Sequence, residues 1–319
     1  GRQAGAREAG MTFYLPIAEM SVNIFVFLGM GAAVGFLSGM FGVGGGFLLT
    51  PLLIFSGVPA AIAVGTGAAP MVASSVTGAM AQFRRKNVDF RLGAVLLAGG
   101  VIGAVIGVET VKILRRMGHF DLVVALAYVT FLGAIGSLML IESLGALRAA
   151  RAGKPTSTRH SGQHSWVHGL PLKIRFTRSK LYISAVPPFV IGAFVGFLTA
   201  LMGVGGGFIM IPAMIYLLRV PTSLAIGTSL FQIVFVTALT TILHATQNKS
   251  VDVVLALLLM IGGVVGAQAG SVAGERLKGE ELRFLLAALV LLVCLRLAFD
   301  LVVEPSELFS IRSLTGGPL

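Results

Sequence analysis

The chemistry most visible in this chain belongs to its backbone. Two stretches, GFLSGMFGVGGGFLLTP over residues 35–51 and GFLTALMGVGGGFIMIP over residues 196–212, share Gly-Phe-Leu, Gly-Val-Gly-Gly-Gly-Phe and a closing proline at the same internal spacing. A helix leaves its first N–H groups without intrahelical partners, and its N-terminus carries about half a positive charge. A glycine turn feeding such an end lets those N–H groups face an oxyanion with no side chain in the way. Gly44, Gly45, Gly46 and Phe47 would supply the donors in the first stretch, and Gly205, Gly206, Gly207 and Phe208 in the second. Backbone donors suit an anion that must be released again, because a buried lysine or arginine would first have to be desolvated at considerable cost. A competing account is that the glycines only let helices cross closely. Two aligned copies, each interrupting an apolar run, favour the anion-binding account.

Side chains near the two stretches could complete such a site. Thr66, Thr228 and Ser229 are expected to start or cap the next helices and to donate hydroxyl bonds to an oxyanion. Gln232 is an amide donor aligned with Pro70, an asymmetry that would let one half bind while the other gates. Ser74 and Ser75 align with Val236 and Thr237. Hydroxyls in membrane helices often bond their own backbone instead, and that reading stands beside ligand contact for each of them. His244, in the place of Gln82, is a candidate for proton coupling or an interfacial residue beside the Asn248–Lys249 loop. Arg296 and Asp300, and likewise Glu109 and Lys112, have the spacing of local helical pairs. Lone Cys294 reads as packing.

Several chemistries are excluded. Phe47 stands where G-x-G-x-x-G requires its third glycine, and no Gly-Lys-Ser/Thr follows, so the stretches are not nucleotide-binding loops. Any energy for transport would then come from an ion gradient or from the substrate gradient. No catalytic acid/base pair, Ser/His/Asp set or zinc-ligand spacing falls within the apolar runs, so no enzyme, metal or cofactor is expected. His160, His164 and His168 recur at four-residue spacing, but neighbouring glycines and the lack of an acidic residue favour a solvated loop over a metal face.

The 319 residues are 56% hydrophobic and only 12% charged, with a mean hydropathy of +0.94. A soluble protein carries about 25% charged residues, so an integral membrane protein is expected. The net charge of +11 is concentrated between apolar runs, where basic residues set topology; nucleic-acid binding is not expected.

The elements that must position the glycine stretches follow from hydropathy. After a tail over residues 1–21, repeat 1 covers 22–144, a basic linker 145–180, repeat 2 covers 181–303, and a tail ends the chain at 304–319. Each repeat contains a glycine-broken first segment and three full segments of roughly the 20 residues a membrane helix needs. The expected fold is therefore all-α and polytopic, with two homologous four-segment repeats. Ala63-Val-Gly-Thr-Gly aligns with Ala225-Ile-Gly-Thr-Ser, and Lys86-Asn-Val-Asp with Lys249-Ser-Val-Asp252. A two-fold repeat is common in secondary transporters, with the site at the repeat interface. Re-entrant broken segments would make the repeats inverted; crossing ones would make them parallel. Inversion is favoured, because it gathers Arg84–Arg91, the linker and Arg276–Arg283 on one side. That side is expected to be cytoplasmic, in a bacterial-type inner membrane.

These residues together resemble the TauE/SafE family, the sulfite exporter or 4-toluene sulfonate uptake permease family. The paired G-x-G-G-G-F motifs, the downstream proline, the Ala-x-Gly-Thr segments and the Lys-x-Val-Asp loops carry the resemblance, over about residues 22–303. It implies a membrane transporter of sulfite, organosulfonates, thiosulfate or other small anions. The glycine turns themselves do not separate sulfonate from carboxylate or inorganic anions, nor a transporter from a passive anion channel.

Overall fold

The computed structural model describes residues 12–18, 20–41, 46–151, 173–176, 178–179, 181–274 and 279–302. The chain opens with strands β1 (Thr12–Leu15) and β2 (Met20–Asn23), paired antiparallel. Helices α1 (Ile24–Phe41), α2 (Gly46–Phe55), α3 (Ala60–Arg84), α4 (Phe90–Arg116) and α5 (Phe120–Arg151) complete the first half. The second half repeats the order: β3 (Lys173–Phe176) and β4 (Leu181–Ser184), then α6 (Val186–Met202), α7 (Gly207–Tyr216), α8 (Thr222–Leu243), α9 (Val253–Gly274) and α10 (Gly279–Val302). A π-helical turn over His244–Asn248 extends α8.

The second glycine stretch breaks the helix, α6 stopping at Met202 and α7 starting at Gly207; at the first, the described residues end α1 at Phe41 and resume as α2 at Gly46. The three following helices of each half are long and apolar enough to cross a membrane, six among the described residues. Large apolar side chains such as Ile106, Leu126, Val265 and Leu295 face outward from them.

The two hairpins depart from the all-α expectation. They fall in stretches expected to be tail, linker and the first residues of the apolar runs. Asn23 begins α1, its side-chain Oδ1 accepting the Phe25 N–H at 3.0 Å. Pro187 and Pro188 begin α6 from positions where a missing N–H costs nothing. At the far end of the first half, α5 continues to Arg151, past the expected linker boundary. His160, His164 and His168 lie outside the described residues.

Packing crosses between the halves. Gly31, Gly35 and Gly39 on α1 lie against Leu259, Gly263 and Ala267 on α9, so these helices run parallel. The counterpart contacts place Gly192 and Gly196 on α6 against Leu96 and Gly100 on α4, again parallel. A Cβ added to Gly103 would stand 1.8 Å from the Ala193 carbonyl, and one added to Gly266 would stand 2.0 Å from that of Ala32. Backbones this close require glycine, and lipid provides no hydrophobic force to substitute for such contact. α4 also runs parallel to α8, with Gly93 at Phe231 and Gly100 at Val236. α3 and α8 run antiparallel, with Gln82 against Gly227 and Gly78 against Leu230. α5 and α10 do the same, with Gly133 at Cys294 and Gly136 at Val290. On α3, Thr66 meets Asp252, while Met71 and Ser74 border a cavity with Leu259 and Gly263, so α3 follows α9. Counterpart helices thus point in opposite senses: α1, α3 and α9 one way, α6, α8 and α4 the other.

Candidate functional site

The helices that follow the two glycine stretches, α2 and α7, meet at their first residues. Phe47 and Phe208, each following its glycine run, stack with ring centroids 4.9 Å apart and planes 20° from parallel. Both rings are buried. A Cβ on Gly46 would stand 2.3 Å from the Val204 carbonyl, so the start of α2 rests on the second glycine turn. Gly44 and Gly45 lie outside the described residues; Gly46 and Phe47 lie beside the second glycine turn and Phe208.

In the second turn, Gly203, Gly205 and Gly206 adopt φ values of +69°, +75° and +76°, the left-handed region that glycine enters freely. No side chain caps the α7 N-terminus at Gly206. The carbonyls entering the turn are tied up. Tyr128 donates to the Met202 carbonyl at 2.7 Å, and Thr50 to that of Gly203 at 3.4 Å. Both side chains belong to the first half and are fully buried. These two bonds tie the entry of the second turn to the first half. Neither residue stood out from the sequence, because a tyrosine and a threonine in apolar runs look like ordinary packing.

Thr66 and Thr228 do not start or cap helices. α3 begins at Ala60 after Pro59, and α8 at Thr222 after Pro221, so each threonine lies beyond the first turn. The prolines fix the helix starts earlier than hydropathy suggests. Thr228 Oγ1 accepts the Asp89 N–H at 3.1 Å, and Thr66 Oγ1 accepts the Asp252 N–H at 3.0 Å. Each aspartate caps the next helix of its own half, Asp89 accepting from Arg91 and Leu92 and Asp252 from Val254 and Leu255. Each also holds a hairpin. Asp89 Oδ2 accepts from Ser179 N at 2.9 Å and Oγ at 2.8 Å, and Asp252 Oδ2 accepts from Ile17 N at 3.2 Å. The repeated Lys-x-Val-Asp sequence signalled these positions, though not their role as clasps between halves.

The remaining hydroxyls mostly bond their own helices. Ser229 donates to the Ile226 carbonyl, Ser74 to Met71 and Thr237 to Ile233. Ser75 Oγ and Gln232 Oε1 differ: both are buried with no hydrogen-bond partner among the described residues. His244 is fully buried. Its Nε2 donates to the Ala200 carbonyl at 3.0 Å, and its Nδ1 lies 3.0 Å from the Asn248 amide nitrogen, which donates to it. Arg296 pairs with Asp300, and Lys112 with Glu109 at 3.6 Å, as the spacing predicts. No cluster of potential metal ligands occurs among the described residues.

Comparison with known proteins fits this architecture. The profile of the family described as Sulfite exporter TauE/SafE matches residues 27–297. The chain is 31% identical over 284 residues to "Probable membrane transporter protein YjnA" of Bacillus subtilis, spanning 87% of this chain and 100% of that protein. A "Probable membrane transporter protein" of Xylella fastidiosa is 30% identical over 264 residues, covering 81% of this chain and 88% of its own length. "Probable membrane transporter protein MJ0441" of Methanocaldococcus jannaschii is 25% identical over 276 residues, 82% of this chain and 90% of that one. No solved structure shows significant similarity. With six candidate spans among the described residues and a family match across most of its length, the chain is an integral membrane protein of the TauE/SafE family of membrane transporters.

Proposed function

We propose that the protein is a secondary transporter of small sulfur oxyanions, sulfite, thiosulfate or organosulfonates, working by alternating access between two inverted halves. The observation that carries the reading is the contact between the residues that follow the two glycine runs, with Phe47 stacked on Phe208 at 4.9 Å. The N–H groups of Gly44 to Phe47 and Gly205 to Phe208 are the anion's donors in this reading. The opposite senses of counterpart helices support inversion. Arg178 supports the common side of the basic loops, donating to the Lys86 and Val88 carbonyls at 3.1 Å each. By the excess of lysine and arginine, that side faces the cytoplasm of a bacterial-type inner membrane. Thr66 and Thr228 serve the reading as hinges of the clasps, beside the anion path. Proton coupling through His244 requires one of its two ring-nitrogen bonds to break, and a pH profile of flux in His244→Gln tests that step.

The family is described as sulfite exporters, which puts sulfur oxyanions ahead of carboxylates. Counterflow of labelled sulfite in proteoliposomes is the test. Saturable counterflow, competed by thiosulfate or sulfonates, is expected. Linear, non-saturable flux would indicate a channel, and preferential competition by carboxylates would reassign the substrate.

A further inference from the structure

The outer surface where α3, α4 and α8 meet carries a row of four rings beside the Arg84–Arg91 loop. Phe83 of α3 meets Phe90 of α4 edge to face at 5.8 Å, Phe90 meets Phe231 of α8 at 5.5 Å, and Phe231 meets Phe235 at 5.2 Å. Phe83, Phe90 and Phe235 are 55%, 45% and 48% exposed, so the row belongs to the surface and not to the core. Gly93 makes room for it: a Cβ there would stand 2.9 Å from the Phe231 ring. Phe90 is the first residue of α4, and α8 runs beside α4 in the same sense, with Phe235 one turn beyond Phe231. The row therefore leads from the loop into the span.

The same corner is strongly basic. Arg84, Arg85, Lys86 and Arg91 are exposed. Arg178 joins them from beyond the linker, donating to the Lys86 and Val88 carbonyls. The loop's one carboxylate, Asp89, is buried and already accepts from Ser179 and from the first turn of α4. The matching surface at the other end of the molecule has neither feature. Through the repeat, Phe90 corresponds to Val253, Phe231 to Ala69 and Phe235 to Ala73, while Phe83 and Arg84 fall opposite Ala245-Thr246-Gln247. Of the four basic residues in the loop, only Lys86 has a charged counterpart, Lys249. Orienting the chain in the membrane requires basic residues on one side, but it requires no rings next to them.

We propose that this corner binds one anionic phospholipid in the leaflet of the basic loop, its phosphate held by Arg84 and Lys86 and an acyl chain lying along the row from Phe90 to Phe235. Basic side chains at a membrane surface attract anionic headgroups, and rings at that depth pack against the lipid just below them. A free anion would use the charges and leave the rings bare. The site depends on the membrane-spanning fold and not on which solute is carried.

Native mass spectrometry of the full-length protein, with phosphatidylglycerol and phosphatidylcholine of identical acyl chains as probes, provides the test. Wild type is expected to retain one phosphatidylglycerol, with a preference over phosphatidylcholine of about tenfold or more. Arg84→Gln combined with Lys86→Asn should erase that preference; asparagine suits the φ of +59° at Lys86. Phe90→Ala combined with Phe235→Ala should weaken phosphatidylglycerol binding several-fold. Lys249→Asn, at the other end, should leave binding unchanged. Equal retention of the two lipids by wild type overturns the proposal, as does an undiminished preference in the Arg84/Lys86 variant or unchanged binding in the Phe90/Phe235 variant. Displacement of the lipid by glycerol 3-phosphate at comparable concentration would show that the charges alone hold the anion, and would rule out a lipid as the occupant.

Discussion

Gly263 on α9 and Gly100 on α4 occupy matching places in the two halves, each facing a glycine-broken helix of the other half. At Gly263 there is room for a methyl group; at Gly100 the side chains of Gln232 and Val236 fill that room. The second break is also braced by Tyr128 and Thr50, and the counterpart of Thr50 is Ile211, which has no hydroxyl to brace the first. The halves therefore share their helix crossings and their clasps but not their interior fillings. A symmetric scaffold thus carries unequal side chains at one pair of matching positions.

The crossings should be where the halves agree most. Gly103→Leu and Gly266→Leu each drive a side chain into a backbone within about 2 Å, and both are expected to abolish monodisperse, folded protein in size-exclusion chromatography. If only one does, the two crossings are not equivalent. Phe47→Ala and Phe208→Ala come next, each expected to cost about 3–5 kcal/mol as large-to-small core changes do. Thermal unfolding should show the double variant costing less than the sum of the singles, because the pair shares one contact. A purely additive result would mean the stacking contributes nothing of its own.

The clasps should show a graded difference. Asp89→Ala removes bonds from Ser179 N and Oγ as well as the helix cap, whereas Asp252→Ala removes one hairpin bond besides its cap. Loss of a cap alone costs about 1 kcal/mol, and the melting temperature should fall further for Asp89→Ala. Equal falls would show that the extra Ser179 bonds are replaced by other partners. The smallest effect is expected at Arg296 and Asp300, a half-exposed pair on α10. Asp300→Asn should shift stability by about 0–1 kcal/mol, and a larger loss would give that pair a structural part the first half lacks.

Much of this was readable in the residues. Apolar runs and glycine punctuation placed the ten helices of the described residues, because hydropathy follows the bilayer, while the starts of α3 and α8 and the end of α5 lie beyond the apolar runs. The alignment of Lys-x-Val-Asp marked both clasps, and that of Gln232 with Pro70 marked the asymmetry. The hairpins were not readable, since strands of four residues joined to apolar helices leave no period of their own. Nor were the partners of Thr66 and Thr228, whose bonds span 186 and 139 residues. The crossing of α1 with α9 was likewise hidden: glycine spacing shows that a helix has a ridge, but not which helix receives it.

That exchange of partners bears on how the chain is assembled. α1 is made early, yet the helix it lies against is the ninth, and the hairpin ahead of it is fastened to Asp252, 235 residues downstream of Ile17. Until synthesis is nearly finished, the first helix and its broken neighbour wait in the bilayer without their final companion, and closing so distant a contact is slow. A chain cut after its first half would carry every residue of one clasp's threonine and the other's aspartate, and close neither.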